Sequence, residues 1–518
     1  MLRTWALIVV AAMLAGCASL PPPRPMAVTQ AFADVADSPL ARAAAAGASD
    51  APAGHSGFRL LPEAAHAFDA RIALARRATR SLDVQYYVWQ SDGLGLRLMR
   101  ELRDAAQRGV RVRLLLDDLY TGHQDALLAA LAMQPNVELR LFNPLPARGA
   151  GLLPRIVLSL HDFGRINHRM HNKQFIADNS LSVSGGRNIA DEYFMQGGQS
   201  NFLDMDVLAS GPVVRQQSAQ FDRYWNSAHV RPARDLLRPA PTQAEATARF
   251  EALTRDAAPP PLPRERDVLG RTAVSRQLDE GRLEQTYAPA EVFADDPDKI
   301  ERTTAEARYA GSVTESTMAV LETAQSHVLI ISPYFIPGPP GMAQMQRAAA
   351  KGVRGVIVTN SLGATDEPLV YAGYARYRDD MLRLGMTIYE FGPYLNRRTG
   401  QLGDFGASIS RLHAKVAVID HRRLFVGSMN LDGRSASLNT ETGLLIDSAS
   451  LAREVEGLLS EDRFSSAYQL RLNAGGRVEW VEQAAAGREI VHADEPDASW
   501  LRSFKTWLLS NFVAEELL

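Results

Sequence analysis

Two stretches of this 518-residue chain repeat each other with identical spacing. His171-x-Lys173 is followed by Asp178 and by Gly185-Gly186-Arg187-Asn188. His413-x-Lys415 is followed by Asp420 and by Gly427-Ser428-Met429-Asn430, 242 residues further on. The surroundings repeat as well: "IALARRATRSLDVQYYVW" is echoed by "AVLETAQSHVLIISPYFIP", and Gly109 of "LRDAAQRGVRVRLLLDD" matches Gly352 of "MQRAAAKGVRGVIVTNS". A period this long is a duplicated domain, not a solenoid. Each copy alternates helical and apolar strand patterns, which predicts a βαβ layout around a largely buried sheet. The fold class is therefore α/β, with two homologous domains.

Residues i and i+2 of a strand face the same side. The motif thus projects His171 with Lys173, and His413 with Lys415, from runs flanked by Phe175, Ile176, Val416, Val418 and Ile419. Packed about a pseudo-twofold axis, two histidines and two lysines converge on a single site. The lysines would hold an anion as point charges, with Asn188, Ser428 and Asn430 as supporting hydrogen-bonding groups. One imidazole could attack phosphorus while the other protonates the leaving oxygen. The lysines supply the positive charge, so the pattern calls for no metal and no cofactor.

An attacking histidine needs an acceptor on its second nitrogen. Glu441, 28 residues after His413, and Asp204, 33 after His171, are the candidate orienters, with Asp206 competing with Asp204. Asp178 and Asp420 complete the catalytic motifs and read as mainly structural, fixing the loops that carry the site. His123, His161, His168 and His421 have no matched partners and read as surface or packing residues.

The paired motifs resemble those of the phospholipase D superfamily, and the likeness runs from about residue 57 to 518. It implies a pseudo-symmetric fold with one active site at the domain interface and a covalent phosphohistidine intermediate. By analogy His171 is the nucleophile and His413 the general acid, and the family pattern favours Asp204 over Asp206. One departure is visible: Gly186 stands where Ser428 supplies a hydroxyl in the second copy. "LDVQYYVW", "LFNP", "DFGRINHRMHNK", "GGRNIADEYF" and "SPYFIPG" are similar to bacterial cardiolipin synthases of the C type. That narrower likeness implies phosphatidyl transfer, with phosphatidylethanolamine as donor, phosphatidylglycerol as acceptor and cardiolipin as product. Hydrolysis of phospholipids is the alternative. A nuclease or other phosphodiesterase is disfavoured by a net charge of −3, since nucleic acid favours a basic surface. Two intact motifs argue against a non-catalytic lipid-binding protein.

The N-terminus "MLRTWALIVVAAMLAGC" has a cationic start and an apolar run too short to span a bilayer comfortably. Leu14-Ala15-Gly16-Cys17 resembles a lipobox, which implies a signal peptide over 1–16, lipidation of Cys17 and membrane attachment on the exported side. By the same resemblance to lipoproteins, the lack of Asp at Ala18 and Ser19 implies the outer membrane. Cys17 is the only cysteine, so the chain has no intramolecular disulfide. Residues 17–56, rich in Ala and Pro, read as a tether. The first domain is expected over 57–255, a connecting segment over 256–300 and the second domain over 301–518. Trp500, Phe504, Trp507 and Phe512 mark an amphipathic C-terminal helix, read as packing on the second domain rather than lying in a membrane interface. Oligomeric state is not legible.

Overall fold

The computed structural model describes residues 20–49, 51–148, 151–238, 242–394, 408–459, 467–484 and 488–499, with Thr506. Cys17 and the four aromatic residues of the tail lie outside the described residues.

The first half contributes β1 (Ser56–Leu61), β2 (Ser81–Tyr86), β3 (Arg111–Asp117), β4 (Val137–Phe142), β5 (Gln174–Ala177), β6 (Leu181–Gly185), β7 (Ser200–Leu203), β8 (Asp206–Ser210), β9 (Val230–Pro232) and β10 (Thr286–Ala288). The second contributes β11 (Ala290–Ala294), β12 (His327–Ile331), β13 (Arg354–Asn360), β14 (Thr387–Phe391), β15 (Ile409–Leu412), β16 (Val416–Ile419), β17 (Arg423–Gly427), β18 (Thr442–Asp447), β19 (Ala467–Leu472), β20 (Val478–Ala484) and β21 (Arg488–His492).

One sheet has the order β10-β1-β8-β6-β5-β2-β3-β4-β9, the other β11-β18-β17-β16-β12-β13-β14-β19-β20-β21. The run from β1 to β9 matches the run from β11 to β19 strand for strand. Parallel β2-β3-β4 corresponds to parallel β12-β13-β14, and antiparallel β5 beside β2 to antiparallel β16 beside β12. The duplication seen in sequence is thus a duplication of topology. The Gly109/Gly352 match has a local cause. Both follow crossover helices (Gly93–Gln107 and Gly338–Ala350) at φ +94° and +79°, a conformation that ends a helix and suits glycine.

The sheets pack face to face. Val416, Val418, Leu424 and Val426 meet Phe58, Leu60, Ile176 and Val207 in one shared apolar layer. The alternate residues Ala417, Ile419 and Phe425 point outward, under the helices of the second half. This period-two division is what buried strands require. Each large side chain buried there contributes about 1.5–3 kcal/mol, so the layer holds the two halves as one body.

Two sequence expectations are corrected. The Ala/Pro-rich stretch is not a free tether from Met26 onward. Met26 packs on the shared layer, the backbone N–H groups of Thr29 and Ala31 donate to the side-chain oxygens of Asn226 and Asp222, and the helix Pro39–Gly47 buries Leu40, Ala43 and Ala44. A helix that packs through alanines gives no strong apolar periodicity, which hid it. The segment 256–300 is built into both halves: β10 pairs with β1, β11 pairs with β18, and the chain crosses between them at Pro289. Among the described residues, no helix is long and apolar enough to cross a membrane.

Candidate active site

Both motifs sit on extended segments just before β5 and β16, beside the carboxyl ends of β2 and β12. Ligands of parallel α/β sheets commonly bind at that end. His171, Lys173, His413 and Lys415 are all buried.

The segments cross between the halves. β15 pairs in parallel with β7, and the His413 N–H donates to the Leu203 carbonyl. Met170 bridges Thr440, and the His171 N–H donates to the Thr440 carbonyl. Each motif therefore lies against the segment of the other copy that ends in its carboxylate. Glu441 accepts from His171 Nδ1 at 2.9 Å, and Asp204 accepts from His413 Nδ1 at 2.6 Å. Each histidine is oriented by the opposite half, a pairing that sequence spacing alone did not suggest. The carboxylate fixes the proton on Nδ1; Nε2 of His171 is left for substrate, while Nε2 of His413 lies 3.1 Å from Lys415 Nζ. Asp206 serves another purpose, holding the buried Arg71 and Arg187.

Lys173 Nζ donates to the His171 carbonyl at 2.7 Å, and Lys415 Nζ to the His413 carbonyl at 2.6 Å. Burial pulls His171 down to about 4; Glu441 opposes this, and both lysines reinforce it. Burial also lowers His413, reinforced by both lysines and opposed by Asp204. Each lysine thus acts on the other copy's histidine, as expected of one shared site. Burial lowers Lys415 to about 8 and Lys173 well below the usual range. Burial alone would raise the carboxylates. The facing histidine and lysine bring Asp204 down to about 2 and hold Glu441 below its ordinary value.

The two copies differ at Gly186. Ser428 and Ser435 donate to Glu441 at 2.5 and 2.8 Å. At Gly186 a Cβ would meet Asp204 Oδ1 at 2.1 Å, so the shorter carboxylate fills the space that a serine takes in the other copy. Gly186→Ser is expected to push Asp204 off His413 and lower turnover about 100-fold or more, the scale of a misplaced acid–base group. Steady-state rates beside an unchanged circular dichroism spectrum check this.

The asparagines also part company. Asn188 accepts from the Val88 N–H and donates to the Tyr193 hydroxyl, so it braces the loop after β2. Asn430 has a buried Oδ1 with no protein partner. Asp178 and Asp420 are not brought into the site. They lie at the far ends of β5 and β16, at φ +50° and +52°. Asp178 accepts from the N–H groups of Thr79, Arg80 and Ser81 at 2.8–3.2 Å. Asp420 accepts likewise from Gln325, Ser326 and His327 at 2.8–3.1 Å. Each carboxylate clamps the entry to the strand beside its motif. Asp178→Ala is expected to cost about 2 kcal/mol or more of stability while the rate per folded molecule is kept. Denaturant titration beside an active-site count checks this.

Sequence reasoning missed the aromatic walls. Tyr87 meets His171 edge-on at 4.9 Å, and Tyr193 meets His413 at 5.1 Å. Both occur in segments quoted above for family likeness, but nothing in their spacing gave them a role. Of the unmatched histidines, His168 Nδ1 contacts the Leu438 carbonyl, and His421 stacks on His327 beside Glu456.

A duplicated α/β fold with one buried His-Lys site shared across its halves defines a phospholipase D-type protein, and the chain belongs to that superfamily. The family described as "Cardiolipin synthase, PLD-like domain" matches residues 72–225 and 318–463. Within it, the chain is 38% identical over 471 residues to cardiolipin synthase C of Escherichia coli (strain K12), covering 90% of this chain and 97% of that one. It is 35% identical to an uncharacterized protein of Helicobacter pylori (strain ATCC 700392 / 26695), over 88% of each. Among solved structures, phosphatidylserine synthase of Haemophilus influenzae Rd KW20 superposes with a TM-score of 0.58 at 15% identity, over 89% of this chain and 95% of that one. That likeness bears on the fold alone.

Proposed function

We propose that this protein is a phosphatidyl transferase of the cardiolipin synthase type, working through a phosphatidyl-histidine. The observation that carries the chemistry is the pair of crossed His–carboxylate contacts between the two lysines. His171 is neutral above about pH 4 and Glu441 holds its Nδ1 proton, so Nε2 has a free lone pair for attack. Lys173 and Lys415 neutralise the phosphodiester and the charge that develops on its oxygens. Nε2 of His171 bonds to phosphorus, the bond to the departing head group breaks, and the leaving oxygen takes the Nε2 proton of His413, which enters this step as an imidazolium balanced by Asp204. His413 then takes a proton from the acceptor hydroxyl, that oxygen attacks phosphorus, and the P–N bond breaks. An alcohol acceptor gives transfer, and water gives hydrolysis.

The 38% identity to a cardiolipin synthase C supports a lipid alcohol as acceptor. Phosphatidylethanolamine is the proposed donor, phosphatidylglycerol the acceptor and cardiolipin the product. Lipidation at Cys17, and through it a place on the exported side of the envelope at the outer membrane, are part of the same reading and rest on the lipobox.

Purified protein incubated with labelled phosphatidylethanolamine and phosphatidylglycerol is expected to make cardiolipin. Phosphatidic acid as sole product would make the enzyme a hydrolase, and plasmid nicking would make it a nuclease. The pH profile follows from the site. Below about pH 4 His171 is protonated and cannot attack; above about pH 8 Lys415 loses the charge that binds phosphate. The profile of kcat/KM, which reports the free enzyme, is expected to be a bell with an acid limb near 4 and an alkaline limb set by loss of the proton of His413, which burial lowers, ahead of that of Lys415 near 8. A rate still rising through pH 9 on a soluble short-chain substrate would contradict it.

A further inference from the structure

Among the described residues, twelve large hydrophobic side chains are exposed, and five of them lie within eleven residues: Leu153, Val157, Leu158, Leu160 and Phe163. They occupy the helix Leu152–Leu158 and the helical turns that follow it to Ile166. The charged groups Arg155, Asp162 and Arg165 are ion-paired within the protein, Arg155 to Asp118 and Arg165 to Asp162. The outward face is left apolar, with His161 on it. A run of exposed apolar side chains this dense is not ordinary surface.

The segment is fastened to the active site at both ends. Arg155 is buried and donates to the Asp118 carboxylate and carbonyl at 2.7 and 3.2 Å. Two residues on, Tyr120 packs against Tyr87, which packs against His171. At the other end Arg434 donates to Asn167, from the helix Gly433–Ser437 whose Ser435 holds Glu441. The apolar segment is therefore linked at both ends to residues that touch the site.

We infer that residues 152–163 are a membrane-docking element that seats the active site on the apolar edge of a bilayer, where its phospholipid substrate resides. The inference rests on the lipid-substrate reading above. A phosphodiester whose acyl chains stay in the bilayer reaches a buried site only if the protein surface beside that site enters the interface. A short helical segment with a polar, bolted-down side and an apolar outer side has the form that lies in that plane. The face carries no pattern of charge that would specify a protein partner.

The test uses the mature chain from residue 17 onward, without the apolar segment 1–16 and carrying Cys17→Ala, so that neither signal segment nor lipid anchor contributes, with vesicles of phosphatidylethanolamine and phosphatidylglycerol. L153S/V157S/F163S changes exposed side chains only. It is expected to lower the vesicle partition coefficient about tenfold or more, because three apolar groups no longer enter the interface. Turnover of a monomeric short-chain phospholipid is expected to stay within about twofold. Unchanged vesicle binding by the triple variant would overturn the inference, as would an equal loss on the monomeric substrate. So would a wild-type dimer that the substitutions dissociate, which would make the face a contact between copies. Vesicle binding is read without turnover, and His171→Ala is expected to bind as wild type does. A failure of the chemistry proposed above would thus leave the docking result standing.

Discussion

His171→Ala is expected to lower phosphatidyl transfer about 10⁴-fold or more, the scale on which loss of a covalent nucleophile is felt. The argument depends on what each histidine does, and a substrate with an activated leaving group separates the two. Phosphatidyl-p-nitrophenol releases its phenolate without being protonated. With it, His171→Ala is expected to show no release, because no atom is left to attack phosphorus. His413→Ala is expected to show a burst of about one nitrophenolate per site and then to stall, because the acceptor hydroxyl has lost its base. Equal bursts from the two variants would make the histidines interchangeable and remove the distinction drawn between them.

Glu441→Gln is expected to behave like a weakened His171 variant although it lies in the other motif's half. Glu441 receives the Nδ1 proton of His171; glutamine can present its NH2 instead and favour the wrong tautomer, an effect that costs about 10⁴-fold in a comparable His–carboxylate pair. Ser428 and Ser435 donate to the same carboxylate and would face an amide poorly. Asp204→Asn is expected to resemble His413→Ala: a retained burst on the activated substrate and slow turnover after it. This crossed pattern is a direct consequence of the pairing of β7 with β15 and of Met170 with Thr440. If Glu441→Gln kept the burst and Asp204→Asn lost it, each carboxylate would be serving its own half.

The identical spacing around His171 and His413 was enough to reveal the duplication, the α/β class and the four residues at the centre of the site, because strand periodicity and copy number are local properties of a sequence. The crossing was not legible. It depends on which segments pair across an interface, and Leu203 and Thr440 carry no local mark of that pairing. Gly186 looked like a missing hydroxyl; its reason is the room taken by Asp204, a three-dimensional fact. Asn188 and Asn430 occupy equivalent positions in the motif, yet only Asn188 is spent on bracing a neighbouring loop. The helix Pro39–Gly47 carries no clear mark in the sequence because its buried face is one leucine and two alanines.

The central claim is that phosphorus is carried on His171. The most direct measurement is to mix His413→Ala with phosphatidyl-p-nitrophenol radiolabelled on phosphorus, quench in alkali to preserve phosphohistidine, and locate the label after proteolysis. The expected result is about one label per molecule on the peptide containing His171. Label on the His413 peptide of the complementary His171→Ala variant, or burst release with no labelled peptide, would contradict the account.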